Sequence, residues 1–306
     1  MVKQNQYFPQ TVSHPGIDLS EKLNELGMGP KEFALRTGKP EKTISAIIKG
    51  NSSITPDMAI QFENALKIPA NYWLTRQYHF DECLTRNVRK KLLSKSLTWA
   101  KHFPIEEMIK IGWLNDGKNM LEKTSELLKF FGVSNHAAWE RFYLKQQLKV
   151  AFSISLAHTK DPYLISVWLR KGELQAAELQ TNYYSEKKFK IVLSEINSIK
   201  TKNPNDLFEK LQIVCLEAGV KVVQTKSLGK SSMNGSARWI NNTPLIQLTE
   251  SFKSNDSLKY IFCHEAAHIL LHGKKDVFLE NIDYSAKDEQ KEREADEFSR
   301  KLTINN

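Results

Sequence analysis

The chain has 306 residues, of which 41% are hydrophobic and 26% charged, and its formal net charge is +9. This length predicts two or three domains, the composition excludes a disordered or fibrous protein, and no apolar run reaches the roughly 18 residues that cross a bilayer. The first residues lack the apolar core of a signal peptide, and three scattered cysteines cannot form a disulfide framework. We therefore expect a cytoplasmic protein without membrane contact. Its positive net charge is compatible with a polyanionic partner.

Residues 17–74 are predicted to form a compact bundle of five short helices, because apolar residues at helical spacing alternate with turn signals. Pro30, Pro40 and Pro56 suit the first turns of helices, and Thr55 is placed to cap the helix that Pro56 opens. The residues expected to form the core of this bundle are Phe33, Ala34, Ile44, Ile47, Ile48, Ala59, Phe62 and Leu66.

A basic stretch of the sequence, residues 86–101, contains six lysines and arginines and no acidic residue. We expect a solvated helix face there, with contact to phosphates as the alternative. Helical periodicity then continues to about residue 200 without any catalytic spacing. The tryptophans of this part of the chain are expected to be core or interface anchors: Trp99, Trp113, Trp139 and Trp168.

The pattern changes after residue 204. A helix is followed by two short β-type runs, residues 220–225 and 238–249, and then by a second helix that runs to about Gly273. We therefore predict a mainly α protein in three parts. These parts are a helical N-terminal domain over residues 1–85, an all-helical middle region over 86–204, and an α+β domain with a small sheet over 205–306.

The helix that ends near Gly273 carries a metal-binding pattern. His264, Glu265 and His268 spell H-E-x-x-H. Residues four apart on a helix lie on one face, so both imidazoles can bind one ion while Glu265 faces the open coordination position of that ion. The pattern predicts a zinc site in which Glu265 is the general base that takes a proton from the water attacking a peptide carbonyl.

A third zinc ligand is predicted from the strongly helical stretch at residues 288–302. Glu292 and Asp296 lie four apart on one face of that helix. We predict that Glu292 ligates the ion, and that Asp296 hydrogen-bonds a ligand histidine and fixes its tautomer. Glu294 is the alternative third ligand.

A purely structural interpretation of these residues stays open. The histidines could be satisfied within a core helix, and the acidic stretch could be a salt-bridged surface helix. His272 lacks metzincin spacing and is expected to be a histidine at a helix end, with an active-site role as the alternative. Cys263 is expected to be a small packing residue, with coordination or inhibition of the metal as the alternative.

Two segments resemble known families. "FCHEAAHILLHGKKDVFLE" followed by "EREADEF" resembles the ImmA/IrrE family of zinc-dependent metallopeptidases, over roughly residues 205–306. The resemblance implies a zincin-like domain with a gluzincin-like ligand set of two histidines and one glutamate. By position, these ligands are His264, His268 and Glu292.

The segment from "HPG" through "ITPDMA" to "YWL", within residues 14–74, resembles the Xre-type helix-turn-helix, in particular the HigA-like antitoxins. The resemblance implies a five-helix DNA-binding domain, often dimeric, that autoregulates its own operon and neutralises a toxin encoded beside it. Its third helix, residues 40–49, would lie in the major groove. The residues expected to contact DNA are Lys42, Thr43 and Ser45 at base edges, and Lys39 and Lys49 at phosphates.

The sequence thus predicts a cytoplasmic, homodimeric DNA-binding regulator or antitoxin with a zinc metallopeptidase-like domain. Its expected partners are double-stranded operator DNA and a toxin or repressor protein, which it would neutralise or cleave, and its expected cofactor is Zn²⁺. Two alternatives remain: a non-catalytic antitoxin whose peptidase fold is degenerate, and a protease whose helix-turn-helix only docks proteins.

Overall fold

The structure is a computed structural model that describes residues 11–147, 162–229, 233–273, 278–279 and 286–304. Two compact units make up the chain, Met1–Ser94 and Lys95–Asn306. The division lies a few residues after the predicted boundary at residue 85, and the predicted middle region and C-terminal domain fall within one unit. Among the described residues, no helix combines the length and the apolar character that a membrane span requires.

The first unit contains the predicted bundle of short helices. Its helices are Pro15–Glu25 (α1), Pro30–Thr37 (α2), Glu41–Ile48 (α3), Pro56–Leu66 (α4) and Ala70–Ser94 (α5). The hydroxyl of Thr55 accepts a hydrogen bond from the backbone N–H of Met58, which confirms the predicted cap of α4. The predicted core residues pack together with Leu19, Leu23 and Trp73, and only Ile48 among them is half-buried.

The first turn of α1 explains the "HPG" sequence. The Nδ1 atom of His14 accepts a hydrogen bond from the backbone N–H of Gly16 at 2.9 Å, so His14 caps the helix that Pro15 opens. A Cβ atom on Gly16 would lie 1.9 Å from the carbonyl oxygen of Ile47. Glycine is therefore required at this position, because α1 packs directly against the backbone at the end of α3.

The second unit is also mainly helical. Its helices are Leu97–Ala100 (α6), Ile105–Lys110 (α7), Met120–Phe131 (α8), His136–Trp139 (α9), Pro162–Glu178 (α10), Glu186–Ser194 (α11), Pro204–Glu217 (α12), Asn255–Leu271 (α13) and Ala286–Ile304 (α14). A π-helical segment, Glu140–Gln147, continues α9. Trp99, Trp139 and Trp168 are buried, as predicted, and Trp113 is half-buried and stacks on Phe130.

The small sheet of the second unit has the strand order β1-β3-β2-β4. Its strands are Lys221–Thr225 (β1), Gly235–Ile240 (β2), Thr243–Thr249 (β3) and Phe278–Leu279 (β4). Strand β1 pairs with β3 in parallel, whereas β2 is antiparallel to both of its neighbours. The predicted run 238–249 is two strands rather than one, because Asn241 adopts a left-handed conformation (φ 56°) and reverses the chain. The mainly α fold with a small sheet is confirmed.

Helix α10 covers one face of this sheet through a buried polar network. The amide nitrogen of Gln247 on β3 donates to the carbonyl oxygen of Trp168 (2.7 Å), and the guanidinium of Arg238 on β2 donates to that of Leu169 (2.9 Å). A Cβ atom on Gly172 would lie 2.0 Å from the amide oxygen of Gln247, so this glycine lets the helix approach. A helix of the predicted middle region is therefore part of the fold that contains the sheet.

Candidate functional site

One face of α13 carries a row of four polar aromatic side chains. Tyr260, His264, His268 and His272 follow each other at intervals of four residues, so each lies one helical turn above the last. Helix α14 packs along α13, and Ala295 on α14 is buried in that contact. A capping box at Ser254 fixes where α13 begins, and thereby the register of the row.

Three side chains of the two helices converge as predicted. The Nε2 atoms of His264 and His268 lie 3.1 Å apart, and the carboxylate of Glu292 lies 3.1 Å from the first and 3.4 Å from the second. Ligand atoms bound to zinc at about 2.0–2.1 Å in a tetrahedral arrangement are about 3.3 Å from one another. The three groups therefore have the size and the chemistry of one face of a zinc coordination sphere.

The charges of this cluster are strongly coupled. Burial lowers the pKa of His264, but its contact with Glu292 and the nearby carboxylates outweigh burial and raise that pKa to about 9. Burial lowers the pKa of His268 to about 4. For Glu292, burial raises the pKa, but the hydrogen bonds from the two histidines dominate and lower it to about 2. Glu292 is thus a carboxylate that faces one charged and one neutral imidazole.

Asp296 lies where a supporting residue was predicted. Its Oδ1 atom accepts from Nδ1 of His264 at 3.0 Å and from the hydroxyl of Tyr260 at 2.9 Å. This pair of contacts places the Nδ1 proton of His264 toward Asp296 and leaves its Nε2 atom for the cluster. Tyr260 is not part of the H-E-x-x-H motif, although its position one helical turn before His264 could have suggested its contact with Asp296.

Glu265 is fully buried beside strand β2. A Cβ atom on Gly235 would lie 2.4 Å from Oε1 of Glu265 and within 3 Å of its Cγ and Cδ atoms. Any side chain at residue 235 would therefore displace the carboxylate of Glu265. Sequence analysis missed Gly235, because a strand some thirty residues earlier in the chain gives no local sign that it will pack against the motif.

The predicted DNA-contacting residues lie on or beside α3. Lys42 and Lys49 are exposed, and Thr43 and Ser45 are half-buried. Lys42, Ser45 and Lys49 share one face of α3, opposite the buried residues Ile44 and Ile47.

Lys39 forms an ion pair with an acidic side chain. Its Nζ atom lies 2.5 Å from Oδ2 of Asp57 at the start of α4. The prediction of Lys39 as a phosphate contact therefore requires that it exchange this ion pair for DNA.

Both ends of the chain match known families. Residues 19–73 match the HTH_3 family, described as helix-turn-helix, and residues 215–306 match the Peptidase_M78 family, described as an IrrE N-terminal-like domain. The chain joins a helix-turn-helix domain to an IrrE-like domain of the Peptidase_M78 family. Both resemblances seen in the sequence are thereby confirmed. No curated protein is significantly similar to the chain.

Several solved structures share sequence with part of the chain. A HigA-family antidote protein of an addiction module from Coxiella burnetii is 28% identical, with 27% of this chain and 91% of that chain covered and a TM-score of 0.26. A protein from Nostoc punctiforme classed as an antidote of a plasmid maintenance system is 31% identical (26% and 88% covered, TM-score 0.26). The Pseudomonas aeruginosa antitoxin HigA, solved with the higBA promoter, is 24% identical (26% and 89% covered, TM-score 0.26).

The structure also places three residues of the IrrE-like domain whose roles the sequence motif left open. Glu294, the alternative third ligand, lies outside the cluster, with its Oε2 atom 3.0 Å from Nε2 of His272. The Nδ1 atom of His272 in turn lies 2.9 Å from Nδ1 of His268. Cys263 is buried in the hydrophobic core, where burial raises the pKa of its thiol to about 12, so it is the packing residue that was expected.

Proposed function

We propose that the chain is a DNA-binding regulator of the antitoxin type whose IrrE-like domain is a zinc-dependent endopeptidase. The observation that carries the peptidase proposal is the triangle of His264, His268 and Glu292 beside the buried carboxylate of Glu265. Two histidines and one glutamate, with a fourth coordination position left open, are the ligand set of catalytic rather than structural zinc. The match to the Peptidase_M78 family supports the same conclusion.

In the proposed reaction, Glu265 is the proton-transfer group. Bound zinc supplies Lewis-acid chemistry that activates water and polarises a peptide carbonyl. A carboxylate oxygen of Glu265 takes the proton of the attacking water and then delivers it to the nitrogen of the departing amine, so the peptide bond breaks and one water is consumed. Asp296 contacts Nδ1 of His264 and would hold that imidazole with its Nε2 atom toward His268 and Glu292.

The helix-turn-helix domain is proposed to bind operator DNA as a homodimer. With α3 in the major groove, Lys42, Thr43 and Ser45 would face base edges, and Lys49 and Lys39 would face phosphates. The exposed lysines on one face of α3 and the match to the HTH_3 family support this proposal. Autoregulation of its own operon follows if the bound site overlaps its promoter.

The two activities are proposed to act in one circuit. Since hydrolysis of a peptide bond is irreversible under cellular conditions, cleavage of a toxin or repressor partner, or of the chain itself, would turn a transient signal into lasting derepression. The second unit, which contains the proposed peptidase site, would cleave the protein partner, and the first unit would bind the promoter DNA.

The peptidase proposal is tested by Glu265→Gln, with Glu250→Gln as a matched exposed control. We expect zinc in wild type and in both variants, because residue 265 is not a ligand. New N-termini should appear when wild type or Glu250→Gln is incubated with a lysate of host cells, and should fall by about 10²–10⁴-fold with Glu265→Gln, which cannot accept the proton. N-terminal peptide mass spectrometry measures them. Equal cleavage patterns in all three proteins would instead favour a non-catalytic antitoxin.

The DNA proposal is tested by a gel shift with the chain's own promoter across a salt series. We expect the variant Lys42→Ala, Ser45→Ala to bind at least about tenfold more weakly than wild type, since each lost base contact costs about 1–3 kcal/mol. Lys187→Ala, which removes the same charge from an exposed position on α11, should bind like wild type. Equal binding by all three would point to a helix-turn-helix that docks proteins.

A further inference from the structure

We infer that two copies of the chain pair antiparallel through one face of α5, over residues 78–92. This pairing rests on the homodimer of the proposed function and adds the surface that forms it. Large apolar side chains lie exposed along this part of the helix, although the rest of the first unit buries such side chains in its core. They are Tyr78, Leu84, Val88 and Leu92, which are 61%, 49%, 55% and 51% exposed.

The first half of α5 belongs to the core of the bundle. Trp73 is fully buried there, and Oε1 of Gln77 accepts from the backbone N–H of Ile54 at 2.9 Å. Leu84 and Val88 follow Gln77 by seven and eleven residues, which places all three on the same face of the helix. The face that packs in the bundle therefore continues beyond Gln77 as an exposed apolar stripe.

The stripe is self-complementary when two copies of α5 run antiparallel. Asp81 and Val88 are seven residues apart, as are Leu84 and Lys91, so these four residues form the two columns of a coiled-coil seam. If Leu84 of one copy lies opposite Val88 of the other, the same register puts Asp81 opposite Lys91. Two-fold symmetry repeats both contacts, which gives two apolar layers at the centre and an ion pair at each end.

The residues beside the seam fit the same arrangement. Tyr78 and Leu92 are fourteen residues apart and lie on one edge of the stripe. Antiparallel pairing brings this edge of one copy against the same edge of the other, with Tyr78 near Leu92. One symmetric interface thereby covers all the large apolar side chains that α5 exposes after Gln77.

The charges of α5 favour a second copy as the occupant of the stripe. The basic residues Arg89 and Lys90 are exposed and point away from the stripe, so they stay in solvent when two copies pair. On the seam, the amide of Gln77 donates to Oδ1 of Asp81 at 3.0 Å and holds this carboxylate near the stripe. Asp81 and Lys91 have opposite charges, so the seam matches itself, whereas an acidic partner would need a uniformly basic seam.

The interface is short. Residues 78–92 span about 21 Å of helix, which suits a reversible dimer rather than an obligate one. Two half-sites on one DNA molecule would then bring the copies together, and DNA affinity would depend on the concentration of the protein.

Sedimentation of the full-length protein without DNA, over a concentration series, tests the interface. Wild type should show an equilibrium between monomer and dimer. Val88→Glu puts an unpaired charge at the centre of the seam and should weaken dimerisation at least about 30-fold. This variant should still fold, because residue 88 is 55% exposed in one copy, and circular dichroism checks its helix content. Lys90→Glu, on the opposite side of α5, is the matched control and should dimerise like wild type.

A charge exchange tests the antiparallel register. Asp81→Lys and Lys91→Asp each place like charges opposite one another at both ends of the seam, and each should weaken the dimer at least about tenfold. The two changes combined in one chain restore opposite charges, so the double variant should regain most of the lost strength. Losses that add in the double variant would overturn the pairing. A wild type that stays monomeric at every concentration, or a Val88→Glu variant that dimerises like wild type, would also overturn it.

A gel shift with promoter DNA separates this pairing from the proposed function. Val88→Glu leaves α3 unchanged but should bind the promoter about 10²-fold or more weakly than wild type, because its two copies no longer bind as one. A wild type that dimerises through α5 but does not bind the promoter would count against the proposed function and leave the interface standing. A wild type that binds the promoter as a monomer would overturn the interface and leave DNA binding standing.

Discussion

Replacing His264 by alanine is expected to abolish tight zinc binding. The Nε2 atom of His264 is a corner of the ligand triangle, 3.1 Å from both the Nε2 atom of His268 and the carboxylate of Glu292. Its removal leaves two protein ligands, which is too few for a catalytic site. The loss should exceed the about 10–100-fold expected for an outer partner such as Asp296. Metal analysis of purified protein and chelator competition measure it.

The control for this substitution is His79→Ala, which removes an exposed histidine of the first unit. We expect that variant to bind zinc as wild type does. Zinc at one equivalent per chain in His264→Ala would show that the metal is held elsewhere, and it would remove the basis of the peptidase proposal. Loss of zinc together with loss of helical structure would show coupling between metal binding and folding rather than a ligand defect alone.

A fragment that begins at residue 205 is expected to be largely unfolded, whereas one that begins at Lys95 should fold. The shorter fragment lacks α10, whose backbone carbonyls accept from the buried side chains of Arg238 and Gln247. Without α10 these side chains face water, and each lost hydrogen bond costs about 0.5–1.5 kcal/mol of the free energy of unfolding.

Apolar contacts between α10 and the sheet add to this loss. Ala176 packs against Val223 and Leu245, which would face water in the shorter fragment. Circular dichroism and thermal melting of the two fragments measure the difference. A cooperative melt of the 205–306 fragment at the temperature of the longer one would contradict the role assigned to α10.

The local part of the site was predictable from the sequence. Spacing of four residues on a helix is set by backbone geometry, so the convergence of His264 and His268 needed no tertiary information. Glu292 and Asp296 were predicted by the same rule, applied to a second helix. The rule could not distinguish Glu292 from Glu294 as the third ligand, because that difference depends on how α14 is rotated about its axis relative to α13.

Two features that sequence analysis missed depend on contacts between distant segments, and a third depends on a local turn. Gly235 accommodates Glu265 from a strand, and α10 satisfies Arg238 from a helix that had been assigned to a separate region. The split of residues 238–249 into two strands depends on a single left-handed residue, Asn241. Neither hydrophobic periodicity nor motif spacing reports such contacts, since both describe one segment at a time.

All the histidines of the proposed centre come from α13, and all its carboxylates except Glu265 come from α14. Neither helix alone provides the three ligands: α13 lacks Glu292, and α14 contains no histidine. Displacement of α14 would remove both Glu292 and Asp296, the carboxylate that contacts Nδ1 of His264. The proposed peptidase activity would therefore be lost if α14 were displaced, even with α13 and its histidines unchanged.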